Sequence, residues 1–338
     1  MNSPHKKLLT LVKVALAVAI LGFLLQRIQG ASGFERLLSE PKDWWALALA
    51  QGLVLVAFSL SFVRWYLLVR GLDLEFHLRD AFRLGTLGFM LNQVSPGSVG
   101  GDLIKAVFIA REQPGKRTEA VATVLVDRVI GLYAMLLVAS LGLVLAGQTF
   151  DSAKLLSSLQ TVVWSAALCG TLGLTFVLSP LATGKRARAL ADRLPVIGHT
   201  VTRLIEAADV YRSRRRYLFA GFGLALTTHG LLITAFWCIS HGLPVSGPTF
   251  AQNASIVPIA LVAGALPLTP GGLGALEGSM ELLYTSIGAG KGDGTIAALA
   301  YRAMTYLFAG IGAFYYFNAR KKVDELMHDA EALAEETT

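Results

Sequence analysis

Asn92-Gln93-Val94-Ser95-Pro96-Gly97-Ser98-Val99-Gly100-Gly101-Asp102 is a polar, glycine-rich interruption in the middle of an apolar stretch, 80–110. A second apolar stretch, 250–287, is interrupted in the same way by Pro267, Pro270, Gly271, Gly272 and Gly274. Proline removes a backbone donor and glycine relaxes the backbone, so a continuous helix is broken at both places. Each stretch is too long for half a crossing and has its breakers near the middle. This predicts a helix–break–helix hairpin that enters and leaves a membrane on one side. A kinked full crossing is the alternative.

The two breaks match each other. Ser95-Pro96-Gly97-Ser98-Val99-Gly100 aligns with Thr269-Pro270-Gly271-Gly272-Leu273-Gly274 at a shift of 174 residues. The same ungapped shift carries Arg128 onto Arg302, each 32 residues after its proline and inside the next apolar run. The shift defines two units of span, hairpin and span, 44–147 and 217–318. Three crossings separate the hairpins. An odd number gives the units opposite orientation, the inverted-repeat arrangement of many secondary transporters.

The composition makes a membrane the solvent. The 338 residues are 54% hydrophobic and 16% charged, against about 25% charged in soluble domains. A net charge of +7 on such a chain does not indicate a nucleic-acid binder, and none is expected as a partner. Six stretches suit spanning helices of about 20 residues: 8–28, 44–69, 119–147, 157–179, 217–241 and 295–318. The first follows His5-Lys6-Lys7 and is longer than a signal-peptide core, so it reads as a retained anchor. The expected fold is therefore an all-α polytopic membrane protein, a single integral domain over 1–338, with six transmembrane helices and two re-entrant hairpins.

With residue 1 placed in the cytoplasm and neither hairpin crossing, the cytoplasmic segments hold 22 Lys and Arg and the opposite side 5. The positive-inside rule then predicts both termini inside, in a cytoplasmic (inner) membrane. Residues 184–216 form the main polar segment. Val201, Leu204, Ile205 and Ala208 share a helical face there, which predicts a basic amphipathic helix on an anionic leaflet. A solvated loop helix is the alternative. The tail 324–338 is acidic.

Asp102, Asp127, Arg128, Glu277, Glu281 and Arg302 all fall at membrane depth. Each such charge costs roughly 2.5–3.5 kcal/mol, on the order of 15–20 for six, so they must pair or line a wet cavity. Glu277 and Glu281 lie four apart on one helix face. Asp127 and Arg128 are adjacent and point about 100° apart, so they cannot satisfy each other. The glycines also open second half-helices, whose N–H groups attract anions. Arginines beside them suit bidentate phosphate contacts. The local alternative is that the charges only tie the two units together. His229 lies in a span, where a hydrogen bond to a neighbouring helix is its expected role and a proton relay the alternative. No P-loop, metal triad or nucleophile elbow occurs, and no cofactor is expected.

These motifs resemble a known family, the flippase-like transmembrane region of lysylphosphatidylglycerol synthetases (multiple peptide resistance factors), here in stand-alone form. The resemblance rests on Asn92-x-x-x-Pro96-Gly97-x-x-Gly100-Gly101-Asp102, then Asp127-Arg128-x-x-Gly131, then Pro267-x-x-Pro270-Gly271-Gly272-x-Gly274-x-x-Glu277. It covers about 8–318. It implies translocation of a lipid between leaflets, with Asp102, Asp127, Arg128, Glu277 and Arg302 as site residues. The full expected substrate-binding set adds Asn92, Pro96, Gly97, Ser98, Gly100, Gly101, Pro270, Gly271, Gly272, Gly274 and Glu281. Ser98 stands where the family usually has a basic residue. About 20 residues follow the last span, so the aminoacyl-transferase domain of the larger members is not expected, nor is enzyme activity. A membrane-embedded head-group transferase and a scaffold subunit of a lipid-modifying enzyme are the other functions these residues allow.

Overall fold

The computed structural model describes residues 32–94, 100–146, 153–184, 187–188, 198–266 and 271–318. The described residues are helical, with no strand among them. The span expected at 8–28, the acidic tail and the loop residues Pro96, Gly97, Ser98, Pro267 and Pro270 lie outside them.

The helices are α1 (Ser32–Ser39), α2 (Trp44–Gly71), α3 (Leu78–Val94), α4 (Gly100–Glu112), α5 (Arg117–Ala146), α6 (Ala153–Val177), α7 (Pro180–Thr183), α8 (Gly198–Ser213), α9 (Arg215–Gly242), α10 (Phe250–Ala265), α11 (Ala275–Thr285) and α12 (Asp293–Asn318). Five of these, α2, α5, α6, α9 and α12, are long and apolar enough to cross a membrane. They coincide with five of the six expected spans. α3, α4, α10 and α11 have 17, 13, 16 and 11 residues. At 1.5 Å per residue they measure about 17–25 Å, short of the ~30 Å hydrocarbon core.

Hydrogen bonds tie the two ends of each short-helix pair together. Before α3 and after α4, Gln113 Nε2 donates to the Glu75 carbonyl at 2.6 Å. Before α10 and after α11, the Ser246 amide donates to Asp293 Oδ2 at 2.9 Å. The first junction also holds Arg203–Glu119 at 3.1 Å and Arg214–Asp73, where the arginine holds the Asp73 carboxyl below its usual range. The second holds Arg36–Asp293 at 2.7 Å and the Asp43 amide on the Gly242 carbonyl at 3.0 Å.

Packing follows matched pairs. α2 lies along α9, α10 packs on α5, and α3 packs on α12. Each broken pair thus leans on the last long helix of the other unit. Glycine permits both approaches. A Cβ on Gly142 of α5 would lie 2.3 Å from Ala254 C in α10, and one on Gly312 of α12 would lie 2.3 Å from Thr86 O in α3. Such overlap forces backbone to move, at about 1–3 kcal/mol. Gly142→Ala and Gly312→Ala should therefore lower the thermal midpoint in detergent, whereas Gly173→Ala and Gly310→Ala, which meet nothing within 4 Å, should leave it unchanged or raise it. Equal midpoints in all four would remove the close-packing explanation.

Large apolar side chains cover the outside. Leu125, Leu141, Leu145, Leu168, Phe176, Phe219 and Phe314 are all exposed, as expected of a lipid-facing surface rather than one in water. Trp44 and Trp45 begin α2, and Trp45 is 87% exposed, the usual place for aromatic residues at a membrane interface. On α8 the stripe against the protein is Arg203, Ala207 and Tyr211, with the Tyr211 hydroxyl donating to the Leu68 carbonyl at 2.8 Å. Leu204, on the predicted amphipathic face, remains exposed.

Candidate functional site

The first break is closed from behind by Asn92. Its Oδ1 accepts from the Gly101 amide at 2.7 Å, capping the N-terminus of α4 from the end of α3. Gly101 lets the two helices meet. A Cβ there would lie 1.9 Å from the Gly88 carbonyl oxygen. One residue on, Asp102 pairs with Arg128 Nε and lies 4.0 Å from Lys105 Nζ. The Lys105 ammonium also sits 5.2 Å from the Trp65 ring centroid, a cation–π contact.

The motif Asp127-Arg128-x-x-Gly131 follows from two ion pairs. Arg128 takes Asp102, while Asp127 takes Arg64 of α2 through two bonds, 2.7 and 3.1 Å. Gly131 makes room for that pair, since a Cβ would lie 3.2 Å from both terminal nitrogens of Arg64. Its carbonyl accepts from His229 Nε2 at 3.0 Å, so His229 links α9 to α5. Arg64 is a correction to the sequence reading. The 22 cytoplasmic Lys and Arg include it, with the segment 64–118, although it also falls within the expected span 44–69; α2 runs to Gly71 and buries it. Moving it leaves the charge bias at 21 to 5. The signal was available: Phe62-Val63 and Trp65-Tyr66-Leu67-Leu68 flank Arg64 with apolar residues on both sides.

The second break repeats the pairing with different exposure. Glu277, like Asp102, is the third residue of its helix, and its Oε1 accepts from Arg302 Nε at 2.5 Å. Arg302 Nη1 and Nη2 donate to the carbonyls of Gly271 and Gly272 at 2.9 and 3.2 Å. Glu277 Oε2 accepts from the Gly274 amide at 2.8 Å. Gly271, Gly272 and Gly274 all have positive φ, and a Cβ on Gly272 would lie 2.0 Å from the Gly264 carbonyl oxygen. Arg302 thus supplies donors to backbone carbonyls that the broken helix leaves over. Glu281 lies one turn on and caps α12, accepting from the amides of Gly292 and Thr295 at 2.7 and 3.1 Å.

The described ends of the two breaks, Gln93 and Gly271, are neighbours. A Cβ on Gly271 would lie 2.5 Å from the Gln93 carbonyl oxygen, next to the start of the first break. Between them is a cavity of about 150 Å³ lined in part by Phe58, Phe89, Gln93, Gly271, Tyr301 and Arg302. By liquid volume it has room for a few waters. Arg302 lines this cavity, and the two arginines differ sharply in exposure. The Arg128 side chain is 45% exposed and that of Arg302 is 6% exposed. At a shift of 174, Arg64 and Asp127 fall on Cys238 and Tyr301. The first unit therefore has two ion pairs and a lysine where the second has one ion pair and an apolar wall. No group of His, Cys, Asp and Glu able to hold a metal occurs among the described residues.

Apolar helices, an apolar exterior and paired charges in the interior define an α-helical, multi-pass integral membrane protein. The chain belongs to the lysylphosphatidylglycerol synthase TM region family, whose model matches residues 10–312. A UPF0104 membrane protein of Methanothermobacter thermautotrophicus is 23% identical over 340 residues, covering 93% of this chain and 96% of its own length. No solved structure matches.

Proposed function

We propose that this chain moves a phosphate-bearing membrane lipid between leaflets, through the space where the two breaks meet. The observation that carries the reading is the contact of Gly271 with Gln93 beside a cavity, with an arginine–carboxylate pair behind each break. Non-helical backbone at membrane depth is tolerated where it lines a cavity or is buried in protein, and transporters use such breaks for substrate.

In this reading α3–α4 and α10–α11 are re-entrant hairpins from opposite faces, and 44–147 and 217–318 form an inverted repeat. Support comes from the hydrogen bonds joining the two ends of each hairpin. The 8–28 segment supplies a sixth crossing. Both termini lie in the cytoplasm beneath an inner membrane, and the 184–216 segment rests on its anionic leaflet. Arg128 receives the lipid phosphate from its exposed side, while Asp102, itself 4.0 Å from Lys105, holds the guanidinium in place. Arg302, Glu277 and Asn92 keep the breaks open as positioning residues. The reaction is movement, not head-group transfer.

The test uses proteoliposomes carrying a fluorescent phosphatidylglycerol, with an impermeant quencher outside. The expected result is loss of the protected inner-leaflet signal faster than in empty liposomes, with the lipid recovered unchanged. Equal rates would end the transport reading, and a chemically altered lipid would point to a transferase.

A further inference from the structure

A second cavity, about 590 Å³, opens between α5, α6 and α9, apart from the breaks. Its walls are mainly apolar, among them Leu137, Leu174, Leu218 and Phe222. Arg212 and Arg215 stand where α8 passes into α9, opposite Ser179 at the end of α6. The cavity therefore has an apolar interior and a cationic rim.

The rim is organised. Arg212 is held by Asp209, with Nη2 to Oδ1 at 2.7 Å, and Arg188 holds the same carboxylate at 2.8 Å. Arg215 donates from Nε to the Arg212 carbonyl at 3.2 Å and is exposed. The two arginines lie on successive helices, Arg212 near the end of α8 and Arg215 at the start of α9, and both line the opening. Planar guanidinium suits a phosphate diester. The apolar cavity beneath it suits an acyl chain, and anionic lipid is drawn to basic segments.

We infer that this cavity is a binding site for one anionic glycerophospholipid, its phosphate on Arg215 and Arg212 and one acyl chain between α5, α6 and α9. This goes beyond leaflet contact by the 184–216 segment. It rests on the orientation proposed above but not on transport.

The experiment is native mass spectrometry of the detergent-purified protein with added dioleoylphosphatidylglycerol or dioleoylphosphatidylcholine, with no transport step. The wild type should bind the anionic lipid at least about tenfold more tightly, a difference of about 1.4 kcal/mol. Arg215→Gln should remove most of that preference without changing the choline lipid. Leu174→Trp, which fills the cavity, should weaken both. Equal binding of the two lipids by the wild type overturns the proposal, as does an unchanged preference in Arg215→Gln. Displacement of the lipid by inorganic phosphate alone also overturns it, because that identifies an ion site. If Arg215→Gln does not fold, the wild-type comparison is repeated at about 1 M salt, where an electrostatic preference should shrink and a persistent one contradicts the site.

Discussion

Arg302→Met should destabilise the protein by about 3–5 kcal/mol, the usual cost of removing one partner from a buried ion pair. Glu277 is 0% exposed and has no other Lys or Arg within ion-pair distance among the described residues. The substitution also removes the donors to the Gly271 and Gly272 carbonyls. Arg302→Lys should recover little, because one ammonium cannot reproduce a fork that reaches a carboxylate and two carbonyls. Arg302→Met combined with Glu277→Met should recover part of the loss by removing the stranded charge. Thermal unfolding in detergent measures all three. A midpoint for Arg302→Met equal to the wild type would show that the second break does not depend on this residue.

Arg128 should behave in the opposite way. Arg128→Gln leaves Asp102 with Lys105 nearby, and the lost side chain was half in the open, so a folded protein is expected. Its lipid translocation should fall about tenfold to a hundredfold, matching the 1.5–3 kcal/mol typical of a charged hydrogen bond. Arg128→Lys keeps the charge but loses the planar fork and should fall in between. Normal translocation in both would remove Arg128 from the lipid's path.

The contrast between these arginines marks what sequence could and could not convey. The two breaks, the shift of 174 and the need for partners are one-dimensional facts, visible as glycine, proline and charge within apolar runs. The five long helices were legible for the same reason. Exposure is not encoded in that pattern: Arg128 and Arg302 look equivalent, and only the fold puts one at the surface and the other beneath two carbonyls. Capping by side chains distant in sequence is equally hidden. Asn92 reaches Gly101, and Glu281 reaches Gly292 and Thr295, across turns whose course no local spacing specifies. Arg64 was missing from the charges placed at membrane depth because a charge near the end of an apolar run is easily assigned to the adjoining polar segment, whereas its partner Asp127 lies on another helix. A hydrogen bond from His229 to a neighbouring helix was legible, since a polar ring within a span needs a partner, but not that the partner is the Gly131 carbonyl.

The most direct measurement compares wild-type, Arg128→Gln and empty liposomes in the quencher assay, with equal amounts of protein of equal thermal midpoint. Lipid translocation by this chain predicts a fast loss of the protected signal for the wild type, a loss at least about tenfold slower for Arg128→Gln, and almost none for empty liposomes. Wild-type vesicles that match the empty ones would contradict it.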